Sequence, residues 1–366
     1  MSHAHLDHSG DAPALYKQGF PVSFGTPPTL QLAELLIEDS IKINRKNKVT
    51  PPFVKRDLKS FMGRYMAHAY GSVIDFGEYE ISLHDAGHIS GSAMTLIKSR
   101  KSGKRILYTG DFKLSPQILK SGAEIVETDV LITETTYATS LHPDRAVLSK
   151  KFIEDVKSVI VHGGIALVPV FAVGRAQELL ALLYQNGLAD VTYIDGMAKK
   201  ATDITMQHPQ YIENDALLVK AMQRVNWVDT MDVRSKAIGG GNIILTTAGM
   251  LNGGPVLNYI QRLNPASKIF LTGYQVEGTN GNRLMEGKPL IIDGRKFHVK
   301  VPWTFYDFSA HSDKNDLEEF VRKSHPETII CVHGDHDNAS TFAENMKLEG
   351  YDAVAPKVGD RVAVDF

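Results

Sequence analysis

The sequence predicts an α/β protein in which one domain is interrupted by a long α/β insertion. Three observations carry that expectation. The 366 residues exceed what one hydrophobic core usually encloses. From Asp144 to about Pro302, strand-like and helix-like segments alternate, the pattern of a mostly parallel sheet. Histidine-rich motifs flank that stretch on both sides. Composition narrows the class further. Hydrophobic residues at 43% and charged residues at 22% exclude wholesale disorder. A net charge of −2 excludes a globally basic nucleic-acid coat, so any nucleic-acid binding must rest on local patches or metal ions. The single cysteine, Cys331, excludes an intrachain disulfide framework and a cysteine-rich zinc finger. No apolar run is long enough to span a bilayer, and the first residues lack a secretory pattern, so a cytoplasmic protein with no membrane partner is expected.

The elements follow in order. The chain opens on His3, His5, Asp7 and His8. Leu35, Leu36, Ile37, Ile41 and Ile43 give Ala33 to Arg45 helical spacing, and Lys42, Arg45, Lys46 and Lys48 mark its solvated end. Val73 to Leu83 alternates as short strands, and 93–98 with 105–109 reads as a hairpin turning at Gly103. The run 130–133 (VLIT) is a buried strand ending at Glu134. Helix 146–161 leads to strand 165–170, helix 174–186 to strand 191–194, and strands 243–246 and 268–272 follow. Glycine-rich loops (AGMLNGGP, GYQVEGTNGN) come after the last two. The motif FSAHSD then precedes helix 314–324 and strand 328–332, which ends at His333.

The H-x-H-x-D-H string is the strongest chemical signal. Residues two apart in an extended segment face one side, so His3 and His5 can share a metal, and a turn would direct Asp7 and His8 to a second. Neutral imidazoles suit zinc, and a carboxylate neutralises charge. His88 in HDAGHISGS, Asp111 in LYTGDF and His333 in CVHGDH sit at strand ends or glycine turns, where a metal can approach. His68, His84 and His336 read as ordinary surface or packing residues. The hairpin cations Lys98, Arg100, Lys101, Lys104 and Arg105 read as a solvated turn rather than a substrate track.

Together, SHAHLDH, AGHISGS, YTGDF, ETTYA, FSAHSD and VHGDH resemble the metallo-β-lactamase superfamily in its β-CASP branch, over essentially the whole chain. Within it the chain is similar to archaeal relatives of the nuclease subunit of the cleavage and polyadenylation factor. The resemblance implies an αββα sandwich in residues 1–140 and 304–366, with a β-CASP domain of mostly parallel sheet inserted at 141–303. It implies two zinc ions, one held by His3, His5, His88 and Asp111, the other by Asp7, His8, Asp111 and His333. Asp7, Glu134 and His311 take catalytic positions, with His311 beside the leaving group and Glu134 orienting it. His333 stands where RNA-directed members carry histidine and DNA-repair members carry valine, which favours RNA. Two zinc ions, two aspartates and a bridging hydroxide leave the site at about +1, which attracts a phosphodiester. The expected reaction is a two-metal, bridging-hydroxide hydrolysis of RNA to 5′-phosphate and 3′-hydroxyl ends, in 3′-end processing or decay.

Arg175, at a helix start, and the strand-to-loop turn Thr247, Gly249 and Met250 are the expected phosphate contacts. Other readings are a catalytically impaired scaffold subunit of an RNA-processing complex, a DNA-directed β-CASP nuclease and a small-molecule hydrolase. The second has valine in place of His333, and the third lacks the insertion and FSAHSD. Relatives of this kind often dimerise and join other processing subunits. The family fold also places strands before the histidine string, on the order of fifty residues. The expectation is that Met1 is an internal start, leaving an unpaired sheet edge and weakened zinc affinity.

Overall fold

A computed structural model describes residues 1–366 apart from 18, 20 and 47. It separates into two compact units, Met1–Leu141 with Ala310–Phe366, and His142–Ser309. The second crossing therefore lies six residues beyond the expected 303/304 boundary. Trp303–Phe305 pairs in parallel with Lys268–Leu271, so this strand belongs to the inserted sheet.

The first unit is built on a seven-stranded mixed sheet. Its order is Asp352–Val354, Thr328–Val332, Val130–Glu134, Arg105–Tyr108, Ala93–Ser99, Tyr79–Asp85 and Val73–Phe76. The first four are mutually parallel, and the last four are joined antiparallel. A two-stranded parallel pair, Ser23–Gly25 with Tyr65–Ala67, is a separate sheet. Helix Lys314–Ser324 begins at Asp313, whose carboxylate accepts the Asp316 N–H and so satisfies one open donor of the first turn. Leu317, Phe320 and Val321 recur at helical spacing and bury one face against Leu107, Leu131 and Ile329 of the sheet. Helix His336–Leu348 covers the same core with Ala339, Phe342, Ala343 and Met346. Phe112 and Phe320, both fully buried, lie 4.7 Å apart at their ring centres. Each such burial stabilises by roughly 1.5–3 kcal/mol.

The second unit holds a six-stranded parallel sheet. Its order is Asn226–Trp227, Thr192–Asp195, Asn242–Thr246, Ile165–Pro169, Lys268–Leu271 and Trp303–Phe305. Ile165–Pro169 is buried at every residue, as expected of a central strand covered on both faces. Among the described residues, no helix is long and apolar enough to cross a membrane.

Candidate metal centre

Topology alone brings four motifs to one sheet edge. Arg105–Tyr108, Val130–Glu134 and Thr328–Val332 are parallel. Tyr79–Asp85 reaches the same orientation through two antiparallel steps. All four strands thus end at one edge, where His88, Asp111, Glu134 and His333 lie on or just after the strand ends. The N-terminal string meets them there, since the Ala93 N–H donates to the Ser2 carbonyl at 2.7 Å. The string is not the extended run and turn expected of it. His5 caps a short helix, Leu6–Ser9, and Asp7 and His8 project from its first turn.

The side chains form two clusters. His3, His5, His88 and Asp111 offer ligand atoms within 4.8 Å of one another, and so do Asp7, His8, Asp111 and His333. Asp111 belongs to both. Its Oδ2 lies 3.4 Å from His3 Nε2, and its Oδ1 3.1 Å from His8 Nε2. His88 Nε2 is 3.1 Å from His5 Nδ1, and His8 Nε2 is 3.0 Å from His333 Nε2. Donors 2.0–2.1 Å from a tetrahedral ion stand roughly 3.4 Å apart, close to these separations.

The electrostatics divide the clusters. Burial pushes His3 and His88 well below the ordinary imidazole range, which keeps their lone pairs available. Burial alone would raise Asp111. The hydrogen bond with His8 and the charges of His311, His3 and His88 instead hold it well below the usual carboxylate range. Asp7 follows the same balance: burial raises it, but His333 and His8 bring it down to about 2. The hydrogen bond to Asp7, despite burial, raises His333 to about 9.

The donor set fits a metal. Nε2 of the wholly buried His3 makes no hydrogen bond. Buried polar atoms are seldom left so, and a cation between these donors accounts for it. His88 is also oriented as a ligand should be: its Nδ1–H donates to the Ala310 carbonyl at 2.8 Å, leaving Nε2 to face the cluster. These residues are placed so that they could hold a metal ion.

Glu134, His311 and Asp111 also lie close together, but the first two satisfy each other. The His311 Nδ1–H donates to Glu134 Oε2 at 2.8 Å, and the Phe112 N–H donates to Oε1 at 2.8 Å. The Thr136 hydroxyl donates to Oε2 at 2.6 Å. The arrangement is a hydrogen-bonded holder for an imidazole rather than a third ion site. Burial lowers His311 but the Glu134 carboxylate outweighs it, so its pKa is raised.

Two supporting residues escaped the sequence reading. Thr136 links Glu134 to the His333 ring, 3.3 Å away, and Ser2 Oγ lies 3.2 Å from His3 Nδ1 and 3.4 Å from His8 Nδ1. Both stand inside the quoted motifs, where their hydroxyls were the available signal. His84, expected to be an ordinary surface or packing residue, lies between Ser82 and Glu124. Three of the five hairpin cations have carboxylate partners: Arg100 with Asp75 and Glu80, Lys104 with Glu327 and Asp365, Arg105 with Glu127 and Asp129.

The remaining expected contacts lie in the second unit. Thr247, Gly249 and Met250 follow strand Asn242–Thr246 at the carboxyl edge of the parallel sheet, where such sheets present ligand loops. Gly249 passes so near residues 170–171 that a Cβ would stand 3.1 Å from their backbone. Arg175 begins helix Arg175–Gln185 but is only 8% exposed, and its charge acts on Asp307.

Residues 176–284 match the Beta-Casp domain family, and residues 298–356 match the Zn-dependent metallo-hydrolase RNA specificity domain. The protein named Probable RNase MJ4 of Methanocaldococcus jannaschii is 37% identical over 377 residues, covering all of this chain and 87% of that one. RNase aCSPSF2 of Saccharolobus solfataricus is 33% identical across all of this chain and 74% of its own length. Transcription termination factor FttA of M. jannaschii is 33% identical across 95% of this chain and 60% of its own. With both domain matches and whole-chain relatives agreeing with the convergent histidines and aspartates, the chain belongs to the β-CASP branch of the metallo-β-lactamase superfamily, among the archaeal relatives of the cleavage and polyadenylation factor nuclease.

Proposed function

We propose that this hydrolase is a zinc-dependent ribonuclease that cleaves RNA phosphodiesters to 5′-phosphate and 3′-hydroxyl ends. The observation that carries the reading is the pair of donor clusters sharing Asp111, with the Glu134–His311 pair alongside. Two zinc ions, one with His3, His5, His88 and Asp111 and one with Asp7, His8, Asp111 and His333, would supply positive charge for the phosphate and an acidified water. The protein's own part is placement. Glu134 holds the Nδ1–H of His311, so the Nε2 proton is the one delivered to the departing 3′ oxygen. Asp111, held ionised, ties the two clusters together. The loop at Thr247, Gly249 and Met250, with Arg175, would hold RNA phosphates in the second unit. RNA as substrate is favoured by the relatives named RNase and by histidine at position 333.

One gel tests this. Zinc-loaded protein is incubated with a labelled RNA and the matching DNA, and the product ends are mapped. Cleavage of RNA alone to 5′-phosphates is expected; equal cleavage of DNA would remove the RNA assignment. His311→Ala should keep its zinc and lose about 10²–10⁴-fold in turnover. Large zinc loss in that variant would contradict the division between ligands and proton donor.

A further inference from the structure

We propose that the largely buried Lys113–Asp316 ion pair is a positioning device for His311, fixing its ring relative to the metal-ligating Asp111. The proposal rests on the proton-donor role given to His311 above. Lys113 and Asp316 are 203 residues apart in sequence, yet the Lys113 ammonium lies 3.2 Å from Asp316 Oδ2. The Ser115 hydroxyl donates to Oδ1 at 2.6 Å. Both charged side chains are largely withdrawn from water, at 9% and 13% exposure. Replacing such a pair by apolar residues of the same shape is often neutral or stabilising, so the role assigned to it is fixing geometry.

The geometry it fixes is specific. Residues 112–115 form a strap between two motifs. On one side the Lys113 N–H donates to the Ala86 carbonyl at 2.9 Å, near the turn that carries His88. On the other, the Ser312 N–H donates to the Phe112 carbonyl at 2.8 Å, and the Leu114 N–H donates to Ser312 Oγ at 3.0 Å. The loop around His311 is thus fastened at Ala310 by His88, at Ser312 by the strap, and at Asp316 by Lys113 and Ser115. Asp316 lies in the first turn of helix Lys314–Ser324, so holding it holds the helix start that follows His311. The ring is referenced to the same strap, because Glu134 accepts both the Phe112 N–H and the His311 Nδ1–H. Apart from the His88–Ala310 and His311–Glu134 bonds, each of these has one end at residues 112–115, within four residues of Asp111. Misplacement of about 1 Å at a proton donor can cost on the order of 10²-fold in rate.

The chemistry supplies a test that a general structural defect cannot imitate. In hydrolysis, a water oxygen bonds to phosphorus, the phosphorus–O3′ bond breaks, and O3′ takes a proton. A linkage with sulfur in place of O3′ leaves as a thiolate and needs no such proton. Lys113→Met/Asp316→Leu removes both charges together and leaves neither buried alone; Asp316→Asn, which keeps a partner for Ser115, serves if the double variant does not fold. Single-turnover rates on the oxygen and 3′-sulfur linkages are measured with bound zinc and thermal unfolding. Expected is a loss of about 10–100-fold on the oxygen linkage, with zinc content retained and the sulfur linkage within about threefold of wild type. Lys113→Arg should recover most of the oxygen rate. Equal losses on both linkages, or none on either, would overturn the proposal. If His311→Ala itself slows both linkages alike, the proton-donor reading fails first and the positioning role with it. If His311→Ala spares sulfur while the pair variants do not, only the positioning role fails.

Discussion

The two halves of the candidate metal centre differ in how they meet water. The inner cluster is largely enclosed: His3 is 0% exposed, His88 3% and Asp111 2%, with only His5 half-buried. Two of its three imidazoles, His3 and His88, are held well below the ordinary imidazole range by burial, before any ion arrives. The outer cluster is open on one side, with Asp7 63% and His333 32% exposed at their side chains. There the groups satisfy each other through charge, Asp7 low and His333 high. The inner half is therefore preorganised for a cation, and the outer half must exchange an ion pair for one. Preorganisation lowers the cost of binding, so the inner position should be the tighter of the two.

Asp111 is the residue that refuses the division, since it serves both halves. Asp111→Asn should therefore have the largest effect. Loss of both zinc ions by metal analysis and a fall in turnover of about 10³-fold or more are expected. Retention of one ion at full occupancy would mean that the halves are independent and that Asp111 does not bridge them.

How much of this arrangement was legible beforehand depends on range. Helix Lys314–Ser324 and strand Thr328–Val332 fall where periodicity put them, because apolar spacing is local information. The strand ends carrying Asp111, Glu134 and His333 were legible for the same reason. The grouping of ligands was not. His8 and His333 are 325 residues apart, and only the sheet order joins them; the motif resemblance suggested the grouping that spacing could not give. The Leu6–Ser9 helix was missed because a four-residue helix has too few positions to show a period. Lys113, the residue after the YTGDF motif, carries no sign in the sequence of its partner Asp316, and Lys104 carries none of Glu327. Ion pairing between distant segments leaves no periodicity to read.

A chelator sharpens the comparison between the halves. Zinc-loaded protein diluted into excess chelator should release metal in two phases, the outer ion first. Asp7→Asn should speed only the first phase and weaken one site by about 10–100-fold, while His88→Ala should abolish the slow phase. His88→Ala should also lose the thermal stabilisation that a tight ion confers, about 3–4 kcal/mol at roughly 100–1,000 times its dissociation constant. A single release phase, or equal effects of the two substitutions, would show that the difference in exposure has no energetic consequence.

The smallest effect is expected far from both clusters, and it tests whether positive charge alone draws in substrate. Arg105 sits on the hairpin tip beside Glu127 and Asp129, so its charge is largely answered on the protein. An outward field for phosphate cannot come from a cation already matched by two carboxylates, and exposed pairs of this kind contribute little to stability. The charge that matters should be the one the chain leaves unanswered until metal is bound. Arg105→Ala should therefore change KM for RNA by less than about twofold, with no change in its salt dependence. A several-fold rise in KM that steepens at low salt would place the hairpin on the substrate path, and the attraction of RNA would no longer be concentrated at the metal edge.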